Sequence, residues 1–301
     1  MNEFEIINKY FDWGAGIGDD CALIDGKKNH KFATSVDTLI AGVHFPADAF
    51  PADIAYKSLA VNLSDLAAMG ATPSYFTLAL TLPNADENWL DSFSSSLKKL
   101  AAQHNILLVG GDTTKGSLSI TINATGTIDA PALMRSGAQV GDGIFISNTL
   151  GDAALAFWQI QNQQTPSAAL LQQFNRPQPQ VKLGQNLLGV ANSCIDISDG
   201  LQQDLQHILR LSKVGAKIDL KALPLAAEVA DYIDRTGDWC LPLAGGDDYQ
   251  LCFTAANEQA KSVQKIGKKL GINLTKIGVI TEKKGLEIKG LNKICKSYQH
   301  F

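Results

Sequence analysis

The stretch ADIAYKSLAVNLSDLAAMG, from Ala52 to Gly70, carries apolar residues on nearly every side of a predicted helix. Pro51 stands just before it, and Gly70 begins a short run to Pro73 that is typical of a helix stop. A helix that is apolar all round is normally buried. We therefore predict that this helix lies in a core around which the other elements are arranged.

Three polar residues interrupt this helix in a single stripe. Ser58, Asn62 and Asp65 stand at positions i, i+4 and i+7, which share one helix face. An unpartnered buried carboxylate is unfavourable, so Asp65 requires a cation or a hydrogen-bonding partner. Two interpretations stay open at this point: Asp65 caps a loop or meets an Arg, or it binds a metal ion.

Length and composition indicate a globular protein of two domains. At 301 residues the chain exceeds the size at which a single core usually keeps growing. A net charge of -4 argues against general nucleic-acid binding. The N-terminal MNEFEIINKYF is too charged for a signal peptide, and the longest uncharged run, Ala153 to Asn175, holds Pro166 and several Gln. We therefore predict no membrane span.

The cysteines give no sign of a shared site. They stand singly at positions 21, 194, 240, 252 and 295, with no C-x-x-C pair and no His nearby. We therefore expect neither a disulfide framework nor a zinc site, and a reducing cytoplasm as the location.

Further carboxylates stand beside glycines or at a predicted strand end. The run Gly14 to Gly18 leads into Asp19 and Asp20, and the predicted strand Phe32 to Val36 ends at Asp37. Acidic side chains repel a phosphate group unless a cation intervenes. These acids therefore belong either to a metal site or to ordinary acidic surface turns.

Two later segments repeat this pattern. Ile106 to Val109 is predicted as a short buried strand that leads into a loop, Gly110 to Gly116, with Asp112 inside it but without phosphate-loop spacing. Cys194 to Leu201 is predicted as a strand end followed by a helix, with two aspartates at the junction. The D-x-[DN]-x-[DN]-G pattern of a calcium loop is missing there.

The combination of these acids indicates phosphoryl chemistry. Oxygen ligands without Cys or His neighbours select magnesium or manganese rather than zinc. Magnesium is usually held by a few carboxylates together with substrate phosphates. Arg135, in a glycine-rich hinge after the predicted domain boundary at 129–131, is either a phosphate clamp or a surface group. His44, between apolar residues, is either a core histidine or a substrate contact.

Seven segments form an ordered series of motifs: GIGDDCAL (16–23), SVDTLIAGVHF (35–45), DIAYKSLAVNLSDLAAMGA (53–71), GGDTTKG (110–116), MRSGAQVGD (134–142), CIDISDGLQQDL (194–205) and LAGGDDYQLCF (243–253). In that order they resemble the thiamine-monophosphate kinase family, and the resemblance runs from about residue 4 to residue 301. Two departures are visible. Asp247 stands where relatives commonly have Glu, which shortens a proposed substrate contact by one methylene. Val36 stands where many have Thr or Met, at a position expected to act through its backbone carbonyl.

The resemblance implies an activity and an architecture. The activity is transfer of the γ-phosphoryl group of ATP to thiamine monophosphate, giving thiamine diphosphate and ADP, with several magnesium ions. The architecture is the two-domain PurM-like α/β fold. We expect an N-terminal domain over residues 1–130 that binds ATP and magnesium and forms a β-barrel across a homodimer. A C-terminal α/β domain over residues 131–301 is expected to close the cleft.

The resemblance also implies roles for individual residues. The implied magnesium ligands are Asp20, Ser35, Val36, Asp37, Asp65, Asp112, Asp196 and Asp199. Asp65, Asp37, Asp112 and Asp199 are the expected catalytic residues. Gly111, Asp112, Arg135 and Ser198 are implied contacts to ATP. His44, Asp247 and Tyr298 are implied contacts to thiamine monophosphate.

Two rival functions remain open. One is another ATP-using relative, such as selenophosphate synthetase or aminoimidazole ribonucleotide synthetase. Selenophosphate synthetase would need a reactive Cys or selenocysteine and a Lys in the loop from Gly14 to Asp20, which has neither. The other rival is a non-catalytic protein that binds ATP and magnesium without consuming thiamine monophosphate.

Overall fold

The computed structural model describes residues 19–26, 31–129, 131–291 and 295–296, and in this part of the chain the strands form two sheets. The strands of the first sheet are β1 (Ala22–Asp25), β2 (Lys31–Ile40), β3 (Thr72–Leu82), β4 (Leu107–Lys115) and β5 (Ser119–Ile128). The strands of the second sheet are β6 (Gly143–Ser147), β7 (Ser193–Asp196), β8 (Gly215–Asp219), β9 (Leu251–Ala255), β10 (Leu274–Thr281) and β11 (Gly285–Lys289).

Both sheets are mixed and open. The first has the order β1-β2-β5-β3-β4, with β3 and β4 parallel and the other pairs antiparallel. The second has the order β11-β8-β10-β6-β9-β7, with β11 and β8 parallel and the other pairs antiparallel. Within the described ranges neither sheet closes on itself, so these residues of one copy do not form a barrel.

Helices cover the sheets. They are α1 (Pro51–Ala68), α2 (Glu87–His104), α3 (Asp152–Gln161), α4 (Ala168–Asn175), α5 (Val181–Leu187), α6 (Leu201–Ser212), α7 (Ala227–Thr236), α8 (Cys240–Ala244) and α9 (Ala260–Leu270), with short 3₁₀ turns at Leu220–Ala222 and Asn257–Gln259. Among the described residues, no helix combines the length and the apolar character that crossing a membrane requires.

Helix α1 confirms the buried helix predicted from the opening stretch. Pro51 occupies its first turn, where a missing N–H costs no hydrogen bond, and most of its side chains are buried. The helix packs on α2 and the first sheet, and also on α5, α4 and β7 from the second half of the chain. At Gly184 of α5, a Cβ atom would stand 1.9 Å from the carbonyl oxygen of Ala67, so only glycine permits this approach. Helix α1 therefore lies at the seam between the two halves.

The prediction for β4 is wrong in two respects. The expected short buried strand and loop are one continuous strand that runs through Gly110 and Asp112, and all of its residues are exposed. It pairs with β3 on one side and forms the edge of the first sheet. Sequence alone cannot show that a run such as Leu107 to Val109 lies at an edge, because periodicity does not report which neighbours a strand finds.

The cysteine prediction is also wrong for one pair. Cys240, at the start of α8, forms a disulfide with Cys295, and their Cα atoms are 5.2 Å apart. Their sequence separation of 55 hid the pair, because only folding brings the two side chains together. Cys21, Cys194 and Cys252 are buried free thiols.

Candidate active site

Three carboxylates from distant parts of the chain meet at one place. Asp20 precedes β1, Asp65 lies in the last turns of α1, and Asp196 ends β7. One oxygen atom from each lies within 4.8 Å of the others, and two of the three residues are buried while Asp65 is partly buried. We call these three residues the acid cluster. The packing of α1 against both the first sheet and β7 brings these three residues together.

Repulsion dominates the acid cluster. Burial first, and then the neighbouring charges of Asp37, Asp196 and Asp20, raise the pKa of Asp65 well above its usual range. Burial first, and then Asp20, raise the pKa of Asp196 in the same way. A cation bound among these oxygens would reverse that penalty.

Hydroxyl groups hold two of the three carboxylates. Ser35 Oγ, on β2, donates a hydrogen bond to Asp65. Ser64 Oγ, next to Asp65 on α1, donates to Asp196 Oδ2 at 2.6 Å. The Oδ2 atom of Asp20 is buried and has no hydrogen-bond partner within the described residues. An orphaned carboxylate oxygen beside two further carboxylates fits a divalent cation.

Arg135 contacts the acid cluster directly. Its Nη2 atom donates to Asp20 Oδ1 at 2.8 Å, and its backbone N–H donates to Asp19 Oδ1 at 2.6 Å. Burial acts to lower the pKa of the Arg135 guanidinium, but the Asp20 carboxylate outweighs it and the pKa is raised. The hinge arginine, expected at ATP, therefore anchors one carboxylate of the cluster.

Asp37 lies beside the acid cluster but not at a strand end. The structure extends β2 to Ile40, so Asp37 stands within the strand, opposite Ile122 of β5. Its charge is the largest neighbouring contribution to the raised pKa of Asp65. Val36, the adjacent residue, is 58% exposed, and it pairs with β5 through its backbone groups.

Gly111 and Asp112 lie on the exposed edge strand. Asp112 is therefore not one of the three carboxylates whose oxygen atoms lie within 4.8 Å of one another. A Cβ atom at Gly111 would stand 1.8 Å from the carbonyl oxygen of Leu78, so β4 passes β3 too closely for any other residue. Thr114 Oγ1 lies 3.5 Å from Asp112 Oδ2.

The turn that carries Ser198 and Asp199 is organised by a residue that sequence reasoning missed. Asp204, buried in the first turns of α6, accepts hydrogen bonds at its Oδ2 from the backbone N–H groups of Asp199 (3.1 Å) and Gly200 (3.0 Å). The Asp199 carboxylate accepts a hydrogen bond from Gln203 at 2.8 Å. The sequence did contain a signal for this role, because Asp204 is an acid in the first turns of a predicted helix, where negative charge is favourable.

The two expected substrate contacts that the structure describes stand on different elements. His44 stands in a turn after β2, where its Nδ1 atom accepts the backbone N–H of Ile40 at 3.0 Å. A neutral ring there carries its proton on Nε2. Asp247 follows α8 and forms an ion pair with Lys57 of α1. Tyr298 lies outside the described residues.

The three polar residues in the stripe of α1 make different kinds of contact. Ser58 donates to the carbonyl oxygen of Ile54 at 2.8 Å, and Asn62 donates to the carbonyl oxygen of Ser58 at 3.0 Å. These two residues therefore serve their own helix, whereas Asp65 joins the acid cluster. Sequence reasoning missed Lys57, although a Lys inside an otherwise apolar helix was a visible signal.

Comparisons with known proteins identify relatives of both halves of the chain. The N-terminal domain model of the AIR synthase related proteins matches residues 18–128, and the C-terminal domain model matches residues 139–290. A thiamine-monophosphate kinase from Haemophilus influenzae is 45% identical over 298 residues, which cover 95% of this chain and 91% of the relative.

Solved structures are similar over the whole length. A thiamine-monophosphate kinase from Stenotrophomonas maltophilia has a TM-score of 0.85 and 41% identity, covering 97% of this chain and 98% of its own. AaThiL complexed with AMPPCP and TMP has a TM-score of 0.89 and 30% identity, covering 100% of this chain and 97% of its own. The two-domain PurM-like α/β fold is confirmed. With its motifs, geometry and relatives in agreement, the chain belongs to the thiamine-monophosphate kinase family of AIR synthase related proteins.

Proposed function

We propose that this protein transfers the γ-phosphoryl group of ATP to thiamine monophosphate, giving thiamine diphosphate and ADP. The acid cluster carries the proposal, because it gathers three carboxylates in a chain 45% identical to a thiamine-monophosphate kinase. AaThiL, at 30% identity, has been solved with AMPPCP and TMP. ATP is accordingly the co-substrate and thiamine monophosphate the acceptor.

Magnesium is the cation that fits the acid cluster. Its donors are hard oxygens, and the buried Oδ2 atom of Asp20 awaits a partner. The proposed ligand set adds to the cluster Ser35, Val36, Asp37, Asp112 and Asp199. When bound, magnesium neutralises phosphate charge and stabilises in-line phosphoryl transfer.

The chain itself positions charges rather than moving protons. The acceptor phosphate has a second pKa of about 6, so it is largely ionised at neutral pH and needs no general base. Ser35 and Ser64 orient the Asp65 and Asp196 carboxylates, and Arg135 orients Asp20. Catalysis in this proposal depends on fixed charges that bring two anions together.

The contacts to the two substrates remain part of the proposal. We assign Gly111, Asp112, Arg135 and Ser198 to ATP, and His44, Asp247 and Tyr298 to thiamine monophosphate. Support comes from the turn of Ser198, which lies directly after Asp196 of the acid cluster. Further support comes from Asp247, whose backbone N–H donates to the carbonyl oxygen of Ser198 at 2.7 Å. We also propose a domain boundary near residue 130.

The exposed edge of the first sheet supports a homodimer. Leu107, Leu108 and Val109 of β4 are 66%, 54% and 58% exposed, which is unfavourable for a strand edge in water. Pairing this sheet with that of a second copy would cover those side chains and form the barrel across the dimer. The proposal therefore places the barrel in the assembly and not in the single chain.

The location of the protein is also a proposal. A cytoplasmic enzyme agrees with the three buried free thiols, but the Cys240–Cys295 disulfide is a bond that reducing compartments oppose. We retain the cytoplasm as the proposed location, where the disulfide would be open to reduction to two thiols. Thiol quantification in protein purified under reducing and non-reducing conditions tests the state of the pair.

A direct assay tests the function. The protein is incubated with ATP, magnesium and thiamine monophosphate, and thiamine diphosphate and ADP are quantified together. We expect the two products in equal amounts. ATP hydrolysis with another acceptor and no thiamine diphosphate would instead indicate a different member of the superfamily. ATP binding without turnover would indicate a nucleotide sensor.

A further inference from the structure

Lys57 is a buried cation at the seam between the two halves, and the mechanism proposed above does not use it. Its side chain is 4% exposed, and its Nζ atom lies 4.3 Å from the ring centroid of Phe174 on α4. The same atom forms an ion pair with Asp247 of the second half. A buried ammonium group without a counterion is strongly unfavourable, so Asp247 compensates its charge.

Asp247 has an unusual backbone conformation that several contacts maintain. Its φ is +65°, in the left-handed region that residues other than glycine rarely adopt. The backbone N–H of Asp247 donates to Ser198, and that of Tyr249 donates to the carbonyl oxygen of Ile197 at 2.8 Å. Such conformations persist only where surrounding contacts determine them, and they concentrate at functional sites.

The ion pair is open on one side only. Lys57 is enclosed, whereas the Asp247 side chain is 27% exposed. Lys57 contacts the Oδ2 atom and the Tyr249 side chain hydrogen-bonds to the same carboxylate, so the chain holds Asp247 from two sides while part of it stays exposed. A pair that served folding alone would gain nothing from this open side, because exposure to water weakens an ion pair.

We propose that Lys57 is a positioning residue for the acceptor: by holding Oδ2 of Asp247, it turns this carboxylate toward the amino group on the pyrimidine ring of thiamine monophosphate. This inference rests on the proposed function. It also accounts for the Asp at this position. The Asp side chain is one methylene shorter than the Glu of many relatives, and the long Lys stem fixes it from the opposite side.

Steady-state kinetics of Lys57→Met and Asp247→Asn test the proposal. We expect each variant to raise the KM for thiamine monophosphate about tenfold or more, with kcat and the KM for ATP changed less than about threefold. Because Lys57 acts through Asp247, the double variant should match Asp247→Asn alone. A lower kcat with unchanged KM would place Lys57 on the reacting phosphates and overturn the proposal. Additive effects, or no effect, would also overturn it.

Two further variants separate positioning from folding. Arg176→Gln breaks another ion pair of the same seam, Arg176 Nε to Asp53 Oδ1 at 2.5 Å, and should leave the KM for thiamine monophosphate unchanged. Lys57→Arg keeps the charge and should recover most of the affinity. If Lys57→Met fails to fold, Lys57→Arg and the double variant, which buries no unpaired charge, carry the test. If the wild-type protein makes no thiamine diphosphate, the proposed function itself is wrong, whatever the kinetics of the variants.

Discussion

Helix α1 carries two buried charges whose surroundings are opposite. Asp65 stands among acids, with Asp20, Asp37 and Asp196 around it. Lys57, eight residues earlier and about 12 Å along the helix axis, faces the carboxylate of Asp247. At the Lys57 end the charge is balanced by Asp247, whereas at the Asp65 end Arg135 pairs with Asp20 and the carboxylates of Asp65 and Asp196 still repel each other. One helix thus carries both a compensated charge and part of a surplus of negative charge, to which the proposed magnesium would bind.

Replacing Asp65 by Asn should have the largest effect of the substitutions at the acidic end of α1. Activity should fall by roughly three orders of magnitude or more, because the variant loses a charge that the transition state requires. Without divalent ions, however, the free energy of unfolding should rise by about 1 kcal/mol, because one of several repelling charges is gone. Product assays and urea unfolding measure the two effects. Turnover near that of the wild type at saturating magnesium would contradict the assigned role.

Ser64→Ala should have a smaller effect at the same end of the helix. It removes the hydrogen bond at 2.6 Å that orients Asp196, while all carboxylates of the acid cluster remain. We expect kcat/KM to fall about tenfold and the magnesium requirement to rise. Magnesium titration of the rate measures the change. Ser94→Ala, at an exposed position of α2, is the matched control and should leave the titration curve unaltered.

The pH dependence of stability tests the acidic end of α1 in another way. A carboxyl group whose pKa is raised in the folded state keeps its proton where the unfolded chain has lost it, so stability falls as pH rises above the usual Asp value. Under the proposed function, magnesium would remove this loss by binding to the ionised cluster. The increase in Tm caused by magnesium should therefore be several degrees larger at about pH 8 than at about pH 5. Equal increases at both values would show that magnesium binds elsewhere.

Arg176→Gln should have the smallest effect. Its partner Asp53 stands near the start of α1, and both side chains are partly exposed, at 35% and 19%. Pairs of this kind contribute about 1 kcal/mol or less. Chemical unfolding should show a loss within that range, with kcat retained. A much larger loss would mean that the seam depends on this pair more than its exposure implies.

Local patterns were sufficient for some of these features. The burial of α1 followed from apolar residues on all sides, and Asp196 was correctly placed at the end of a strand. Other features depended on distant partners. Asp37 was assigned to a strand end because β2 was predicted too short, and its continuation to Ile40 is supported by pairing with β5. The disulfide and the Lys57–Asp247 pair each join residues far apart in sequence.

The amino-acid sequence by itself determined the family, the buried helix and the supply of acids without Cys or His neighbours, because these depend on residue type and short spacing. Only the tertiary structure decided which acids meet. Asp20, Asp65 and Asp196 share a site while Asp112 stands on an exposed edge, because strand order and helix packing, not spacing along the chain, set the distance between side chains. The same reason explains why Lys57 was recognised only from its contact with Asp247 across the seam.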